Sequence, residues 1–418
     1  MMNGTLGRVL MLVENNFPGD LRVKSEADAL IDAGYAVIVI ALQGKHETAV
    51  SKVVDNVRVY QFPRISLFKK ANNKSPTALQ RLRLRIIALM GYVFEYVYFT
   101  ASCFVMSVYV AIKHGFDVIH AHNPPDTLFL VAACYKPFGK KFVFDHHDLC
   151  PELYRSRYGA DKGVLTSMLG LLEKGSLWLA DVTIATNESY RAVHIERGKV
   201  KPENAFVVRN APNLRRVSYR TPSERLRRMN KCILCYVGVL NPQDGVDYLL
   251  RSLRCLIDKV NRRDFYCVIM GSGDSLDDLR ALSRDLDLND HVELTGYVSE
   301  EDLMSNLSAA DICVDPDPSS PLNDVSTWIK IMEYMALAKP IVSFDLKETR
   351  VSAQDAAIYV RPNDVEEFAR AIAKLMDDPG LRRQMGEFGR RRIEQELSLE
   401  RSAQAIHLAY KHLMRNTS

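Results

Sequence analysis

The most informative segment of the chain lies at residues 316–342 and has the sequence PDPSSPLNDVSTWIKIMEYMALAKPIV. A loop rich in proline, serine and aspartate passes directly into a helical pattern, and an apolar strand follows at 340–344. The loop ends in Asn323, Asp324 and Ser326, whose side chains are good helix caps. The segment therefore predicts a loop, a helix and a strand, with the first N–H groups of the helix facing an open crevice.

The chemistry of this helix suits a phosphorylated ligand. Backbone N–H groups at a helix start attract phosphate. Lys330 and Glu333 are three residues apart, so we expect them to share one helix face. A cation near a phosphate and a carboxylate near vicinal hydroxyls are what a nucleotide-sugar site requires.

This segment resembles the donor-binding segment of the retaining family 4 glycosyltransferases, which have the GT-B fold. In that family a glutamate before Met-Ala and Gly-Lys-Pro binds the donor ribose, and the matching residue is Glu333. The resemblance also implies that Lys330 and the helix start at Ser326 and Thr327 hold the diphosphate. Many members carry a second glutamate where this chain has Val325. A bacterial polysaccharide-type subgroup with Ser/Asn-x-x-Lys-x-x-Glu-Tyr-Met-Ala is the better match.

Length and composition are those of a globular protein with more than one domain. The 418 residues predict two domains of about 200 residues. The hydrophobic share of 47% and the charged share of 25% are ordinary values. A net charge of +4 is too small to indicate a nucleic-acid partner, and no nucleic-acid motif is present.

The eight cysteines mostly lie in apolar runs. Cys232 and Cys235 form a Cys-x-x-Cys inside a strand-like run, where their side chains should point to opposite faces. We therefore expect buried thiols rather than a metal or redox site. No signal-peptide pattern precedes the first predicted strand, so we expect a cytoplasmic protein.

Strands and helices alternate with the spacing of doubly wound parallel sheets. We predict an α/β protein of GT-B type, with two Rossmann-like domains facing a central cleft. The predicted domains are an N-terminal acceptor-binding domain at 1–213, a nucleotide-sugar-binding domain at 214–390, and a C-terminal helix at 391–418 that crosses back to the first domain. We also predict a basic linker at 214–231 and a helical tail at 381–415. The predicted strands are 8–14, 37–41, 57–62, 117–121, 141–145, 182–185 and 205–208 in the first domain, and 233–239, 266–270, 291–295, 312–314, 341–344 and 357–360 in the second.

A dehydrogenase is disfavoured because such a fold carries Gly-x-Gly-x-x-Gly after its first strand. Here the first strand leads to Asn-Asn-Phe-Pro-Gly-Asp instead. The second domain has Gly271-Ser272-Gly273, which lacks the third glycine and more often eases a strand into a helix. We keep Gly273 as a candidate donor-binding residue.

Candidate residues of the first domain follow its predicted strands. Gly19 matches the glycine-rich donor loop of the family, although a helix-start turn capped by Asp20 would also explain it. His122 corresponds to the second histidine of the family's His-x-His motif, beside the donor sugar, while His120 is expected to be a core residue. Asp148 or His147 could take part in deprotonating an acceptor hydroxyl, and helix capping by Asp148 is the alternative.

In the second domain the resemblance implies backbone contacts from Gly238 to the diphosphate and from Val298 to the nucleobase. Asn210, which is followed by alanine instead of the family's glycine, is a further donor-binding candidate. The usual diphosphate-binding arginine and lysine are replaced by Val239 and Asp244, so backbone amides and Lys330 must neutralise more of the charge. An Asp-x-Asp begins at residue 315, but prolines flank it and we take it as coincidental. We expect no metal and no cofactor.

One segment bears on where in the cell the protein is located. Residues 66–85 hold six basic residues and no acidic one, and 86–112 are almost wholly apolar apart from Glu95. The length could span a bilayer, but the chain must return at 117–121 to the sheet of 8–14, and a mid-membrane carboxylate is costly. We favour an amphipathic helix lying on anionic lipid, and a buried core helix is the alternative.

Together these features predict a retaining glycosyltransferase that is peripheral at the inner face of the cytoplasmic membrane. Its substrates would be a nucleotide-diphosphate sugar and a glycan or lipid-linked saccharide in cell-surface polysaccharide assembly. Two alternatives remain. One is a nucleotide-sugar 2-epimerase of the same fold, which the segment 66–112 disfavours. The other is a non-catalytic GT-B partner subunit, which Val239 and Asp244 motivate.

Overall fold

A computed structural model describes residues 5–44, 47–65, 78–158 and 163–415, with the backbone alone at 78–89, 92 and 157–158. The chain divides into two compact units. Unit 1 comprises Met1–Pro151, Lys162–Val208 and Ala403–Ser418, and unit 2 comprises Glu152–Asp161 and Arg209–Ser402. These divisions differ from the predicted boundaries after residues 213 and 390.

Unit 1 is built on an eight-stranded sheet in the order β3-β4-β2-β1-β5-β6-β7-β8, parallel except for the β3–β4 hairpin. The hairpin strand β3 is absent from the predicted strands because its four residues show no long apolar run. The elements are β1 (Arg8–Asn16), α1 (Leu21–Asp32), β2 (Ala36–Leu42), β3 (Ser51–Val54), β4 (Val57–Phe62), α2 (Ala78–Lys113), β5 (Val118–His122), α3 (Phe129–Tyr135), β6 (Lys141–His146), α4 (Cys150–Tyr158), α5 (Val164–Leu179), β7 (Val182–Ala185), α6 (Glu188–Glu196) and β8 (Ala205–Val207).

Both faces of this sheet are covered, as the continuous apolar strands require. One face packs Val9 and Met11 of β1 against α1 and against Tyr410 near the C-terminus. The other face packs Leu10 and Leu12 against residues of α2, α3 and α5. Alternate residues of one strand thus support two separate helix layers.

Unit 2 is built on a six-stranded parallel sheet in the order β11-β10-β9-β12-β13-β14. The two parallel-sheet α/β domains confirm the predicted fold class. The elements are α7 (Glu224–Arg227), β9 (Cys232–Val237), α8 (Val246–Asp258), β10 (Phe265–Met270), α9 (Leu276–Asp285), β11 (Val292–Gly296), α10 (Glu300–Ala309), β12 (Ile312–Asp315), α11 (Ile329–Ala336), β13 (Ile341–Phe344), α12 (Lys347–Ala353), β14 (Ala357–Val360), α13 (Val365–Asp377) and α14 (Pro379–Gln395), followed by α15 (Leu399–Arg415), which runs from unit 2 into unit 1.

Two predictions about unit 2 are wrong. The presumed linker at 214–231 is part of the folded unit, because Val217 and Leu226 are fully buried in its core. The presumed single tail is two helices, because the Ser398 hydroxyl accepts a hydrogen bond from the Arg401 amide and so caps a new helix.

The order of the strands determines where a ligand should bind. In unit 1 the chain reverses direction across the sheet between β1 and β5, and in unit 2 between β9 and β12. Parallel sheets bind ligands beyond the carboxyl ends of strands at such a switch point. His122 ends β5 and Asp315 ends β12, so both lie where a site is expected.

Helix α2 contains the predicted apolar segment. Among the described residues it is the one helix long and apolar enough to cross a membrane, over Val93–Lys113. The predicted basic segment at 66–85 lies outside the described residues, apart from the backbone of 78–85.

Candidate active site

The candidate residues of unit 1 surround the buried carboxylate of Asp145, near the end of β6. Its Oδ2 lies 2.8 Å from Nδ1 of His122 and 2.7 Å from Nε2 of His147. Both histidines are buried as well. The contact at Nδ1 orients the His122 ring, and its buried Nε2 hydrogen-bonds to none of the described residues. That nitrogen is therefore the atom of His122 suited to contact a ligand.

A second carboxylate, that of Glu26 on α1, lies beside the same group. His120 Nε2 is 3.6 Å from Glu26 Oε2 and 3.6 Å from Asp145 Oδ2, while His120 Nδ1 is 2.9 Å from the Tyr410 hydroxyl. Burial and the neighbouring Asp145 raise the pKa of Glu26 well above its ordinary value. Burial also acts on Asp145, but the charge of His147 and the hydrogen bonds of the histidines lower the pKa of Asp145. Of the two carboxyl groups, Glu26 is therefore the one that takes up a proton more readily.

This group has the composition of a cation site as well as of a proton-holding site. The ligand atoms of Glu26, His120, His122 and Asp145 all lie within 4.8 Å of one another. Burial lowers the pKa of His122 and lowers that of His120 to about 4, so both rings are neutral at pH 7. Neutral imidazoles and carboxylates are ligands of zinc and other divalent ions.

Asn123 organises the turn that carries Asp148. Its side-chain oxygen accepts hydrogen bonds from the amides of His147, at 2.6 Å, and Asp148, at 3.2 Å. Its Nδ2 donates to the Asp148 carbonyl at 2.7 Å. Sequence reasoning did not select Asn123, although it directly follows His122. The Asp148 side chain is partly exposed, unlike the histidines around it.

The turn after β1 is a helix-start turn capped by Asp20, which was the alternative interpretation of Gly19. Asp20 caps α1 by accepting from the amides of Arg22 and Val23, and it also pairs with the Arg22 guanidinium at 3.2 Å. A Cβ at Gly19 would lie 2.5 Å from the side chain of Asn16, so a larger residue there would have to displace that side chain. The role of Gly19 in donor binding stays a prediction.

In unit 2 the central carboxylate is that of Glu333 on α11. Arg216 donates a hydrogen bond to Glu333, and its second nitrogen is 4.0 Å from Glu300. Burial raises the pKa of Glu333, and the charge of Arg216 opposes the rise. Arg216 lies in the segment predicted as a linker, so sequence reasoning missed it. The apolar residues around it are too widely spaced to have signalled a folded segment.

Lys330 lies between two buried carboxylates. Its Nζ is 2.9 Å from Asp315 Oδ1 and 2.8 Å from Asp317 Oδ1, and it stands 4.8 Å from the centre of the Tyr236 ring. Burial acts against the charge of Lys330, but the two carboxylates raise the pKa of Lys330 well above its ordinary value. The Asp-x-Asp taken as coincidental is thus the ion-pair partner of this lysine. Lys330 and Glu333 are both buried on α11, but each has a partner of its own.

The start of α11 differs from the prediction. Its first residue is Ile329, and the preceding Trp328 provides no side-chain cap. Asn323 and Ser326, expected to cap the helix, donate instead to backbone carbonyl groups: Asn323 to those of Gln243 and Pro318, and Ser326 to that of Leu322 at 2.8 Å. Ser326 and Thr327 therefore lie in the loop before the helix, and their contact with a diphosphate stays a prediction.

The glycines of unit 2 bring strand-end loops close together. A Cβ at Gly271, where φ is +147°, would lie 1.8 Å from the carbonyl oxygen of Gly238, and one at Gly273 would lie 2.4 Å from that of Leu240. Gly271 and Gly273 are therefore required by packing, whatever they bind, and a Cβ at Gly238 would lie 2.7 Å from the Tyr236 hydroxyl. Asp244, at the position of the family's lysine, accepts a hydrogen bond from the Asn241 amide as part of a capping box.

The remaining candidates lie at strand ends. Val298 follows β11 and packs against the core of unit 2. Asn210 follows β8 by three residues and is half-buried. The structure thus brings together His122 and His147 in unit 1, and Lys330 and Glu333 in unit 2.

Comparison with known proteins identifies the family of the chain. The model of the family "Glycosyltransferase Family 4" matches residues 22–216, and that of "Glycosyl transferases group 1" matches residues 220–392. Together these matches leave only short segments of the chain uncovered. The chain belongs to the group 1/family 4 glycosyltransferases with the GT-B fold.

Individual relatives match parts of the chain. An alpha-D-kanosaminyltransferase of Streptomyces kanamyceticus is 32% identical over 39% of this chain and 41% of its own length. A GDP-mannose-dependent monoacylated alpha-(1-6)-phosphatidylinositol monomannoside mannosyltransferase of Corynebacterium glutamicum is 31% identical over 38% of this chain and 42% of its own. The chain thus spans less than half the length of these two relatives.

Among solved structures, the sucrose-phosphate synthase of Thermosynechococcus elongatus superposes with a TM-score of 0.73, over 98% of this chain and all of that one. Its sequence identity is 18%, so the likeness concerns the fold.

Proposed function

We propose that this protein is a retaining glycosyltransferase that moves a sugar from a nucleotide-diphosphate donor to an acceptor hydroxyl. The observation that carries the proposal is the pair of buried ionic groups on α11, namely Glu333 with Arg216 and Lys330 with its two aspartates. Lys330 and its aspartates lie beside β12, which flanks the switch point of unit 2.

In this proposal unit 2 binds the donor. Glu333 accepts hydrogen bonds from the ribose hydroxyls, and the displaced Arg216 guanidinium turns to a phosphate oxygen. An ammonium has three N–H donors, so Lys330 can contact the diphosphate while it stays bound to Asp315 and Asp317. Backbone amides near Gly238, Gly273, Ser326 and Thr327 complete the phosphate site, Val298 contacts the base through its backbone, and Asn210 contacts the donor.

Unit 1 acts on the sugar and the acceptor. His122 Nε2 orients the transferred sugar, with its other nitrogen held by Asp145. The acceptor oxygen attacks the anomeric carbon from the face of the leaving group, while the bond from that carbon to the phosphate oxygen breaks. The acceptor proton passes to the leaving phosphate, and His147 or Asp148 assists this transfer. Charge on the leaving phosphate is neutralised by Lys330, Arg216 and backbone dipoles, so no metal or cofactor is required.

We further propose that the acceptor is a lipid-linked saccharide used in cell-surface polysaccharide assembly, at the inner face of the cytoplasmic membrane. Two observations support this location. The outer side of α2 is apolar and exposed over several turns. The matched corynebacterial mannosyltransferase is named for an acylated phosphatidylinositol acceptor.

The first experiment is thermal unfolding with a panel of nucleotide diphosphates and their sugars. A ligand that binds only the folded state at 100 times its dissociation constant stabilises it by about 2.7 kcal/mol. We expect one nucleotide series to stabilise the wild type and to lose its effect in Glu333→Ala. Glu293→Ala is the matched control, because Glu293 pairs with Arg225 at 2.7 Å on the surface of the same unit.

The product of the stabilising donor then tests the reaction. We expect transfer to a lipid-linked glycan acceptor with retained anomeric configuration, measured by NMR. Stabilisation with release of a 2-epimer would favour the epimerase alternative. No stabilisation by any nucleotide would contradict the transferase and favour a partner subunit.

A further inference from the structure

Helix α5 of unit 1 has its apolar side on the outside. Leu171 is 68% exposed and Trp178 is 81% exposed, and Val164 and Met168 are exposed with them. Positions 164, 168, 171 and 178 fall on one stripe of an α-helix. A helix that only covers a core would present polar residues there.

Polar contacts on the inner side of α5 determine which of its faces points outward. Glu173 is fully buried and lies 3.0 Å from Nε of Arg197. The hydroxyl of the buried Ser176 donates to the Asp126 carbonyl at 2.8 Å. Turning the apolar stripe inward would expose these groups and break their contacts, so the stripe faces outward in the folded unit.

Helix α2 presents a similar stripe. Val97, Val105 and Ile112 are exposed, the last by 84%. The opposite side of the helix is packed in the core of unit 1 through Phe99 and Val110. A helix held along the sheet in this way cannot cross a bilayer without unfolding the unit, so its outer side is available only for a contact along its length.

Helix α3 joins the two stripes. Thr127, just before α3, is hydrogen-bonded to Thr100 of α2 at 2.7 Å, and a Cβ at Gly175 of α5 would lie 2.9 Å from Phe129 of α3. Leu130 of α3 is exposed between them. The α2–α3–α5 surface is defined by the exposed residues Met90, Val93, Phe94, Val97, Phe104, Val105, Val108, Tyr109, Ile112, Leu130, Val164, Met168, Leu171 and Trp178.

The charged residues around the α2–α3–α5 surface indicate what kind of partner it binds. Among the described side chains of its helices, the exposed charged residues are Lys113 on α2 and Lys174 on α5, Glu95 of α2 is half-buried, and the one acid of α5, Glu173, is buried. From residue 90 to residue 112 the stripe of α2 is about 33 Å long. Apolar stripes with basic flanks, and tryptophan at the polar boundary, are typical of helices that lie in an anionic lipid interface.

We propose that the whole α2–α3–α5 surface, and not α2 alone, lies in the interface of an anionic bilayer, with Trp178 among the lipid headgroups. The inference rests on the membrane location proposed above and adds α5 as a second contact, which fixes how unit 1 is oriented on the membrane. It does not depend on the transfer chemistry.

Trp178 can report this contact directly. The chain has two tryptophans, so the variant Trp328→Phe has Trp178 as its single tryptophan. With vesicles of phosphatidylglycerol and phosphatidylcholine we expect a blue-shifted emission that brominated acyl chains quench. Unchanged emission on bound vesicles would overturn the role of α5. If the emission is already blue-shifted without vesicles and light scattering detects a dimer, the surface would instead be assigned to contact with a second copy of the chain.

Vesicle flotation compares matched leucines on opposite faces of the sheet. Leu171 and Leu408 are 68% and 60% exposed, and α15, which carries Leu408, packs on the other face. Because insertion of such a side chain removes its apolar surface from water, Leu171→Gln should weaken vesicle binding about tenfold, or by about 1.4 kcal/mol. Leu408→Gln should leave it unchanged, and equal effects of the two variants would contradict the proposal. Nucleotide-induced stabilisation, measured without vesicles, separates a failure of this surface from a failure of the donor site.

Discussion

The polar clusters of the two units occupy equivalent places but contain different chemistry. Each is buried beside the switch point of a parallel sheet. The cluster of unit 1 holds histidines around Asp145, with the carboxyl group of Glu26 beside them. The cluster of unit 2 holds Lys330 and Arg216, each paired with carboxylates.

This difference separates two tasks. Burial lowers the pKa of His120 and of His122, so these neutral rings of the unit 1 cluster are suited to orienting a group or accepting a proton from it. Lysine and arginine paired with carboxylates keep their charge at every physiological pH, so the N–H groups of the unit 2 cluster remain hydrogen-bond donors whatever the pH. The proposed division between acceptor chemistry and donor binding corresponds to this difference.

The largest expected effect comes from removing the charge of Lys330. Lys330→Met would leave Asp315 and Asp317 buried without a cation. Breaking a buried ion pair in this way costs about 3–5 kcal/mol. Urea unfolding of the variant should show a loss of this size, and donor binding should be lost as well.

A second variant separates charge from packing. Lys330→Met combined with Asp317→Asn removes one of the two stranded charges and should recover part of the stability. Donor binding should stay absent, because the ammonium is still missing. Recovery of donor binding in the double variant would contradict the proposed role of Lys330 at the diphosphate.

A smaller effect is expected for Arg216. Because its charge opposes the rise in the pKa of Glu333, Arg216→Ala should raise that pKa further. The carboxylate form binds ribose, so donor affinity should fall by about tenfold and fall further as the pH is lowered. Calorimetric titration of donor between pH 8 and pH 5.5 measures this, with Arg225→Ala as the surface control. A pH-independent affinity in Arg216→Ala would contradict the coupling.

The sequence predicted the fold better than it predicted these partners. Buried parallel strands are continuous apolar runs, and this local signal located most of them. Lys330 and Glu333 were also found locally, from their spacing on one helix. Their partners could not be found in this way, because Arg216 is distant in sequence from Glu333 and Asp315 precedes Lys330 by a loop. Ion pairs of this kind depend on tertiary structure, which spacing alone does not reveal.

A still smaller effect concerns acid stability. Burial lowers the pKa of His194 to about 3, where it lies 3.0 Å from His146 and 3.0 Å from the Thr183 hydroxyl. The unfolded chain binds a proton at this residue below about pH 6.5, whereas the folded chain does not until about pH 3. The stabilising contribution is therefore complete above pH 6.5 and decreases as the pH falls through that window.

The variant His194→Gln isolates this contribution. Between pH 7 and pH 5 the wild type should lose about 1–2 kcal/mol more than the variant. Urea unfolding at the two pH values measures the difference, and His412→Gln, at a half-buried surface position, is the control. Parallel pH profiles of wild type and His194→Gln would show that the buried ring is not the titrating group.

The smallest expected effect, none at all, concerns removal of metal ions. In unit 2, Lys330 already provides a positive charge between the two carboxylates that an ion would bridge. In unit 1, burial and the neighbouring Asp145 raise the pKa of Glu26, which disfavours the ionised carboxylate that an ion would bind. Dialysis against EDTA should therefore leave the transfer rate unchanged. A rate that falls and is restored by one divalent ion would contradict this, and metal content would then locate the ion. Loss of the ion in Asp145→Asn would place it among the histidines, whereas loss in Asp317→Asn would place it at the donor site.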